Sequence, residues 1–447
     1  MQFSFADLRR EAFACLKLAL PLVLAQISFV GMGTVDTLIA GRLGAQQLAA
    51  VAVGANLWFM VFVPFMGLCM AVSPIVAHRV GAARDPAETG AFLRGVLKMA
   101  LALGFVWWMT LWSARGPVLD LLHLEPAARA FADGYVRAIA PGAVPFVLFF
   151  VLRNAAEGMG QVRTSLIAGV AGFAVNALMS YTLAFGRFGF PALGPTGCGI
   201  ATAFAGVTMV AAFFVMYRFH SVLRAVKLFA PGAVPGAALE VARLGGPIAI
   251  IVTAESWLFL VGALMMARFG TDAVAAHQVA INFAALAFMV PLSIGMATTV
   301  RVGHAAGAGD RAGARLRGFS GIGLGMAFAV LSGGTMAVVP RPIVALYTAA
   351  AGVTVLAVRF LSYAALFQLF DCVQATAMGA LRGIKDTRVP MFITVSAYWL
   401  AGLPLAAGLA FGTRLGPIGI WWGFIAGLAL AAAGLSARFA AESGKSI

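Results

Sequence analysis

Three carboxylates stand inside stretches that are otherwise apolar: Asp36 in GMGTVDTLIAGRLGA, Glu255 in VTAESWLF and Asp371 in FQLFDCVQ. An ionised side chain at the centre of a membrane-spanning helix costs about 2.5–3.5 kcal/mol to insert, so three unpaired ones call for compensation. No lysine and few arginines share their depth, which leaves a proton or a bound cation as the neutralising partner. Desolvation favours the protonated acid, whereas an arriving cation favours the ionised one. A carboxylate that takes either in turn exchanges them, and that exchange is the physical basis of antiport. The competing reading, protonated acids hydrogen-bonded for packing, serves one such residue better than three. The other thirteen of the sixteen acidic residues, Glu157 among them, read as loop or helix-end positions.

Polar side chains near these acids support a lined cavity: Gln26, Ser28, Thr34 and Thr37 beside Asp36, then Asn176 and Ser180, Gln278 and Asn282, and Gln374. Taken singly, each suits a hydrogen bond between helices equally well. Phe259, Phe288, Phe367 and Phe370 could offer aromatic faces to an organic cation, although with 35 phenylalanines core packing explains any single one.

The elements that must hold these residues are membrane helices. The chain of 447 residues is 62% hydrophobic and 11% charged, with a mean hydropathy of +0.96, a composition that excludes a soluble globule with a polar skin. Twelve apolar runs are long enough to cross about 30 Å of hydrocarbon at 1.5 Å per residue. They do not alternate as barrel strands would. The expected fold is an all-α membrane protein of twelve transmembrane helices in two six-helix lobes. Its expected parts are a cytoplasmic N-terminal segment (1–15), an N-lobe (16–217), a cytoplasmic linker (218–242), a C-lobe (243–438) and a cytoplasmic tail (439–447), with residues 3–14 as a short amphipathic surface helix.

The two lobes are copies. At an offset of 226 positions Pro21 matches Pro247, Arg42 matches Arg268, Gly44 matches Gly270, Asn56 matches Asn282 and His78 matches His304. An even number of helices per copy predicts parallel repeats related by a pseudo-two-fold axis along the membrane normal. The acids do not follow the repeat, since the partner of Asp36 is Gly262 and that of Glu255 is Phe29. The scaffold is shared and its charges are not.

The formal charge of +15 lies mostly on one side: 22 of the 31 lysines and arginines fall in segments facing the cytoplasm if the N-terminus is inside. This positive-inside bias places both termini in the cytoplasm and accounts for the charge without nucleic acid. Four scattered cysteines suggest no structural disulfide. The five histidines lack metal-site spacing, and no phosphate loop or nucleophile with a partnered base stands out, so an enzyme is not read.

GMGTVDTLIAGRLGA around Asp36, Glu255 in the seventh helix, VPLSIGMATTVRVGHAAGAGD (290–310), Asp371 and GALRGIKDTRVP (379–390) together resemble the multidrug and toxic compound extrusion family, in its NorM-like branch. The resemblance runs from about residue 12 to residue 438. It implies an antiporter of the bacterial inner membrane that exports cationic amphipathic drugs and dyes against inward Na+ or H+, with no other cofactor and no obligate protein partner beside membrane lipid. The resemblance carries ion coupling to Asp36, Glu255 and Asp371 and a cavity glutamine to Gln278; the residues themselves add a Na+ site at Glu255 and Asp371 and a substrate cavity that also includes Asn176, Asn282 and Phe288. Two departures stand out. Ser180 occupies the position of an additional N-lobe acid in a related branch, and the outer loop YTAAAGVTV lacks acids that some members carry. The alternative function is a flippase or exporter of a lipid-linked or other amphipathic substrate, for which a basic cavity is expected. A channel is disfavoured because no ring of identical pore residues appears.

Overall fold

The computed structural model describes residues 4–444, so the outermost three residues of the expected N-terminal segment and of the expected tail lie outside the described residues. Among the described residues, twelve helices are long and apolar enough to cross a membrane, and no strand occurs. The first six are α1 (Ala6–Leu43), α2 (Ala45–Gly81), α3 (Pro86–Leu121), α4 (Pro126–Gly158), α5 (Val162–Phe185) and α6 (Pro195–Phe219). The second six are α7 (Ala237–Phe269), α8 (Thr271–Gly307), α9 (Arg311–Val338), α10 (Ala351–Gly383), α11 (Arg388–Gly412) and α12 (Ile418–Glu442). In lipid only such a fold satisfies the backbone of every span internally.

Local chemistry fixes the helix ends. Asp85 caps α3 by accepting from the Ala87 N–H at 2.9 Å, with Pro86 at the first helical position, and Asp310 caps α9 by accepting from the Gly313 N–H at 2.8 Å. The α1–α2 and α7–α8 junctions turn at Gly44 (φ 139°) and Gly270 (φ 93°), a repeat-matched pair in backbone conformations that side chains disfavour.

The segment expected as a separate surface helix is instead continuous with α1: a single helix runs from Phe5 to Leu43, through Pro21. Nothing between Phe5 and Pro21 breaks a helix. Glu11 is paired with Arg301 and lies 3.8 Å from Arg317, which fastens this part of α1 by its charge. The residues expected as a linker are also more ordered than a tether. They contain a short helix (Ser221–Ala225), Arg94 donates to the carbonyls of Lys227 (2.7 Å) and Gly232, and α7 begins at Ala237.

Two compact units result. One comprises Pro21–Val76 and Ala83–Ala249; the other comprises Met1–Leu20, Ala77–Ala82 and Ile250–Ile447. In the first, Trp58 packs against Trp107 with centroids 4.1 Å apart, and Phe62 stacks on Trp107 at 5.2 Å. In the second, Trp421 is surrounded by Phe360, Phe367 and Phe424. Within α11, Ser396–Gly402 form a π-helical turn. Such turns widen a helix locally and concentrate at functional sites, and this one carries a residue of the candidate site.

Candidate functional site

In the first unit Asp36 is 3% exposed and held by three donors. The Ser180 hydroxyl donates to Oδ1 at 2.7 Å, the Thr202 hydroxyl to Oδ2 at 2.8 Å, and Asn176 Nδ2 approaches Oδ1 at 3.4 Å while donating to Thr202 Oγ1 at 3.0 Å. The spacing explains the convergence. Asn176 and Ser180 are four residues apart on α5, and Cys198 and Thr202 are four apart on α6, so each pair shares a helix face. Tyr135 of α4 is buried within electrostatic reach of Asp36. Its ring fits because residue 54 of α2 is glycine, where a Cβ would come within 2.5 Å of the ring. Both carboxylate oxygens are therefore occupied by donors, while Asn176 Oδ1 is buried without a partner. Charge-assisted hydrogen bonds of this kind hold an ionised carboxylate without a metal, and both hydroxyls can rotate to present lone pairs instead.

The second unit carries a different arrangement. Asp371, 4% exposed on α10, has Oδ1 without a hydrogen-bond donor. Gln368 Oε1 and Gln374 Oε1, three residues before and after it, are also buried and unpartnered. Glu255 of α7 is less enclosed and acts electrostatically on Asp371. The Tyr398 hydroxyl, carried by the π turn of α11, is influenced by both acids and lies beside Gln374, yet finds no hydrogen bond of normal geometry. Trp399 in the same turn donates to the Ala254 carbonyl at 3.2 Å, which fixes α11 against the residue preceding Glu255. Acceptor oxygens that lack donors are what a hard cation requires. Among the described residues no group of three or more His, Cys, Asp or Glu side chains could hold a metal ion, so any cation here would rest on carboxylate, amide and phenol oxygens.

The sequence-predicted residues divide accordingly. Asp36, Asn176 and Ser180 come together in one unit, and Glu255, Asp371 and Gln374 in the other. Asn282 instead accepts from the Tyr347 hydroxyl at 3.2 Å, Gln278 is exposed, and Phe288 is half-buried. Sequence reasoning missed Thr202, Tyr135, Tyr398 and Gln368. The repeated four-residue spacing of CGIAT offered a signal for Thr202; nothing in the local sequence marks Tyr398, because only the π turn aims it.

One expectation about charge needs correction. Glu157, read as a helix-end acid, lies at the end of α4 but is fully buried: Arg153 Nε donates to it at 2.7 Å, and the other end of the guanidinium donates to Gln26 Oε1 at 2.9 Å. A buried salt bridge thus does occur at the end of α4, because two charges four residues apart on one helix neutralise each other. Arg382, one of the 22 basic residues counted on the cytoplasmic side, is also within electrostatic reach of Glu255, since α10 continues to Gly383.

The MatE family model matches residues 21–182 and 247–408, two segments displaced by the same 226 positions as the internal repeat. Multidrug resistance protein PmpM of Pseudomonas aeruginosa is 38% identical over 439 residues, covering 97% of this chain and 92% of its own. Multidrug resistance protein NorM of Vibrio vulnificus is 36% identical over 442 residues, covering 96% and 95%. Among solved structures, a MATE in the bent conformation matches with a TM-score of 0.87 at 19% identity, covering 99% of this chain and 98% of that one. The Vibrio cholerae MATE transporter VcmN in its bent form matches with a TM-score of 0.85 at 17% identity, covering 98% of each. At those identities the structural likeness bears on the fold alone.

Proposed function

Because this multi-pass membrane chain belongs to the MatE family, a family of transporters and not of enzymes, we propose that it is a multidrug efflux antiporter exporting cationic amphipathic compounds in exchange for Na+ or H+. The observation that carries the reading is the unpartnered acceptor set around Asp371, with Glu255 beside it. A site with two carboxylates and undonated amide and phenol oxygens is built to receive a positive charge, be it a proton, a sodium ion or an organic cation. Asp36, saturated by donors, serves the other unit as a second coupling carboxylate that takes a proton or an ion when its hydroxyl partners rotate. The flippase alternative calls for net positive charge at the site. Here the site carries two acids, and the one guanidinium nearby faces Glu255 alone, so the balance stays negative.

Coupling needs each ligand to favour one orientation of the transporter over the other, since equal affinity for both shifts nothing. Exchange of one monovalent ion for one monovalent drug moves no net charge, so only the ion's chemical gradient remains to drive it. A tenfold drug gradient costs about 1.4 kcal/mol, whereas each net charge moved inward gains about 2.3 kcal/mol per 100 mV. We therefore place the protein in a bacterial inner membrane with both termini inside, as the charge bias supports, and expect a steep ion gradient or more than one ion per cycle.

The test is transport of a fluorescent lipophilic cation into inverted proteoliposomes with Na+ and pH gradients imposed separately. Uptake driven by one of the two is expected. Equal, undriven equilibration under both would reject antiport.

A further inference from the structure

Arg382 lies eleven positions after Asp371 on α10. Eleven residues at about 100° each return to within about 20° of the starting direction and advance about 16.5 Å. The guanidinium therefore sits on the acid-bearing face, three turns closer to the end of the helix. Its Nε is buried without a partner, and the charge it faces is Glu255.

The internal repeat gives this arrangement a reference. With Ala155, Gly158 and Arg163 aligned on Ala380, Gly383 and Arg388, an offset of 225, the counterpart of Arg382 is Glu157 and the counterpart of Arg153 is Met378. In the first unit the end of α4 is electrically closed: Arg153 and Glu157 neutralise each other, and Arg153 reaches α1 through Gln26. In the second unit the same position holds a cation whose buried Nε finds no hydrogen-bond partner, and its influence falls on Glu255 of α7, the helix that corresponds to α1. The second unit thus has two carboxylates and one resident guanidinium, where the first has a self-neutralised pair.

We propose that Arg382 is the resident counter-cation of the Glu255–Asp371 site and, by setting the site's net charge, determines the charge of the cation accepted there. With both acids ionised the cluster carries a net charge of about −1, matched to a monovalent cation. Without the guanidinium it carries about −2 and favours a dication. This rests on the reading of Glu255 and Asp371 as the cation site. Arg382 acts as a positioning charge and touches no cargo.

The test is equilibrium binding of two probes, tetraphenylphosphonium and a bis-quaternary ammonium dication, to the purified full-length protein. Arg382→Gln is expected to raise the dication-to-monocation affinity ratio roughly fivefold, the worth of one charge at about 16 Å and an effective dielectric near 20, and Arg382→Lys to return it to within about twofold of wild type. An unchanged ratio in Arg382→Gln, alongside loss of binding in Glu255→Gln with Asp371→Asn, overturns the proposal and leaves the site reading intact. Undiminished binding of both probes by the double acid variant overturns the site reading itself, and this inference with it. If Arg382→Gln does not fold, Arg382→Met is the second neutral variant: it is expected to shift the ratio in the same direction, and a ratio equal to wild type refutes the proposal.

Discussion

Glu157→Gln removes one charge from the buried pair on α4 while preserving the shape of the side chain. The geometry sets the scale. Arg153 and Glu157 meet at 2.7 Å with side chains 3% and 2% exposed, and the guanidinium also serves Gln26 and lies 5.8 Å from the Phe150 ring centroid. A pair at about 4 Å in an effective dielectric of about 20 gains about 4 kcal/mol, roughly what its desolvation costs, so the intact pair contributes little net stability. Removing one partner strands the other, at a cost of about 3–5 kcal/mol. For a unit of roughly 200 residues, at about 2–4 °C per kcal/mol, the apparent melting temperature should fall by about 6–20 °C. Tryptophan fluorescence of the purified protein on heating reads this out. The double variant Arg153→Met with Glu157→Gln should recover most of the loss, because no charge is left stranded. A double variant whose loss equals the sum of the two single losses would refute the argument that the cost is the orphaned charge.

Asp36→Asn, Glu255→Gln and Asp371→Asn should each leave expression intact while lowering drug resistance in cells, since removing a costly buried acid does not weaken its helix; wild-type resistance from all three would sink the coupling assignment. Gly54→Val should destabilise the first unit by about 1–3 kcal/mol, because the new Cβ meets the Tyr135 ring at 2.5 Å, and a melting temperature equal to wild type would count against that packing. Cysteine placed at Lys227 should label only from the cytoplasm and at Arg414 only from outside, both positions being exposed. Labelling of both from one side would overturn the topology.

Much of the architecture was legible because the bilayer imposes a simple rule: apolar length gives the spans, and the 226-residue repeat gives the two halves. The three acids were legible for the same reason, as charges in the wrong solvent. Arg153, Glu157 and Arg382 were not, since each sits close to a helix end, and only the path of α4 and α10 reveals that they are buried or face a buried acid. Tyr398 was hidden because a π turn rotates it away from the direction that regular helical spacing predicts. Asn282 was placed by its polarity alone, and the structure pairs it with Tyr347. The continuity of α1 also escaped the sequence pattern, because the Glu11 pairing with Arg301 spans 290 positions.

The most direct test of the central claim, that Glu255 and Asp371 are where the coupling ion and a cationic drug compete, is binding of a labelled cationic drug to the purified protein as Na+ or H+ is raised. Wild type should lose bound drug as one of these ions increases, and Glu255→Gln with Asp371→Asn should lose that competition. Full ion competition in the double variant would contradict the account and direct attention to Asp36 and Asn176.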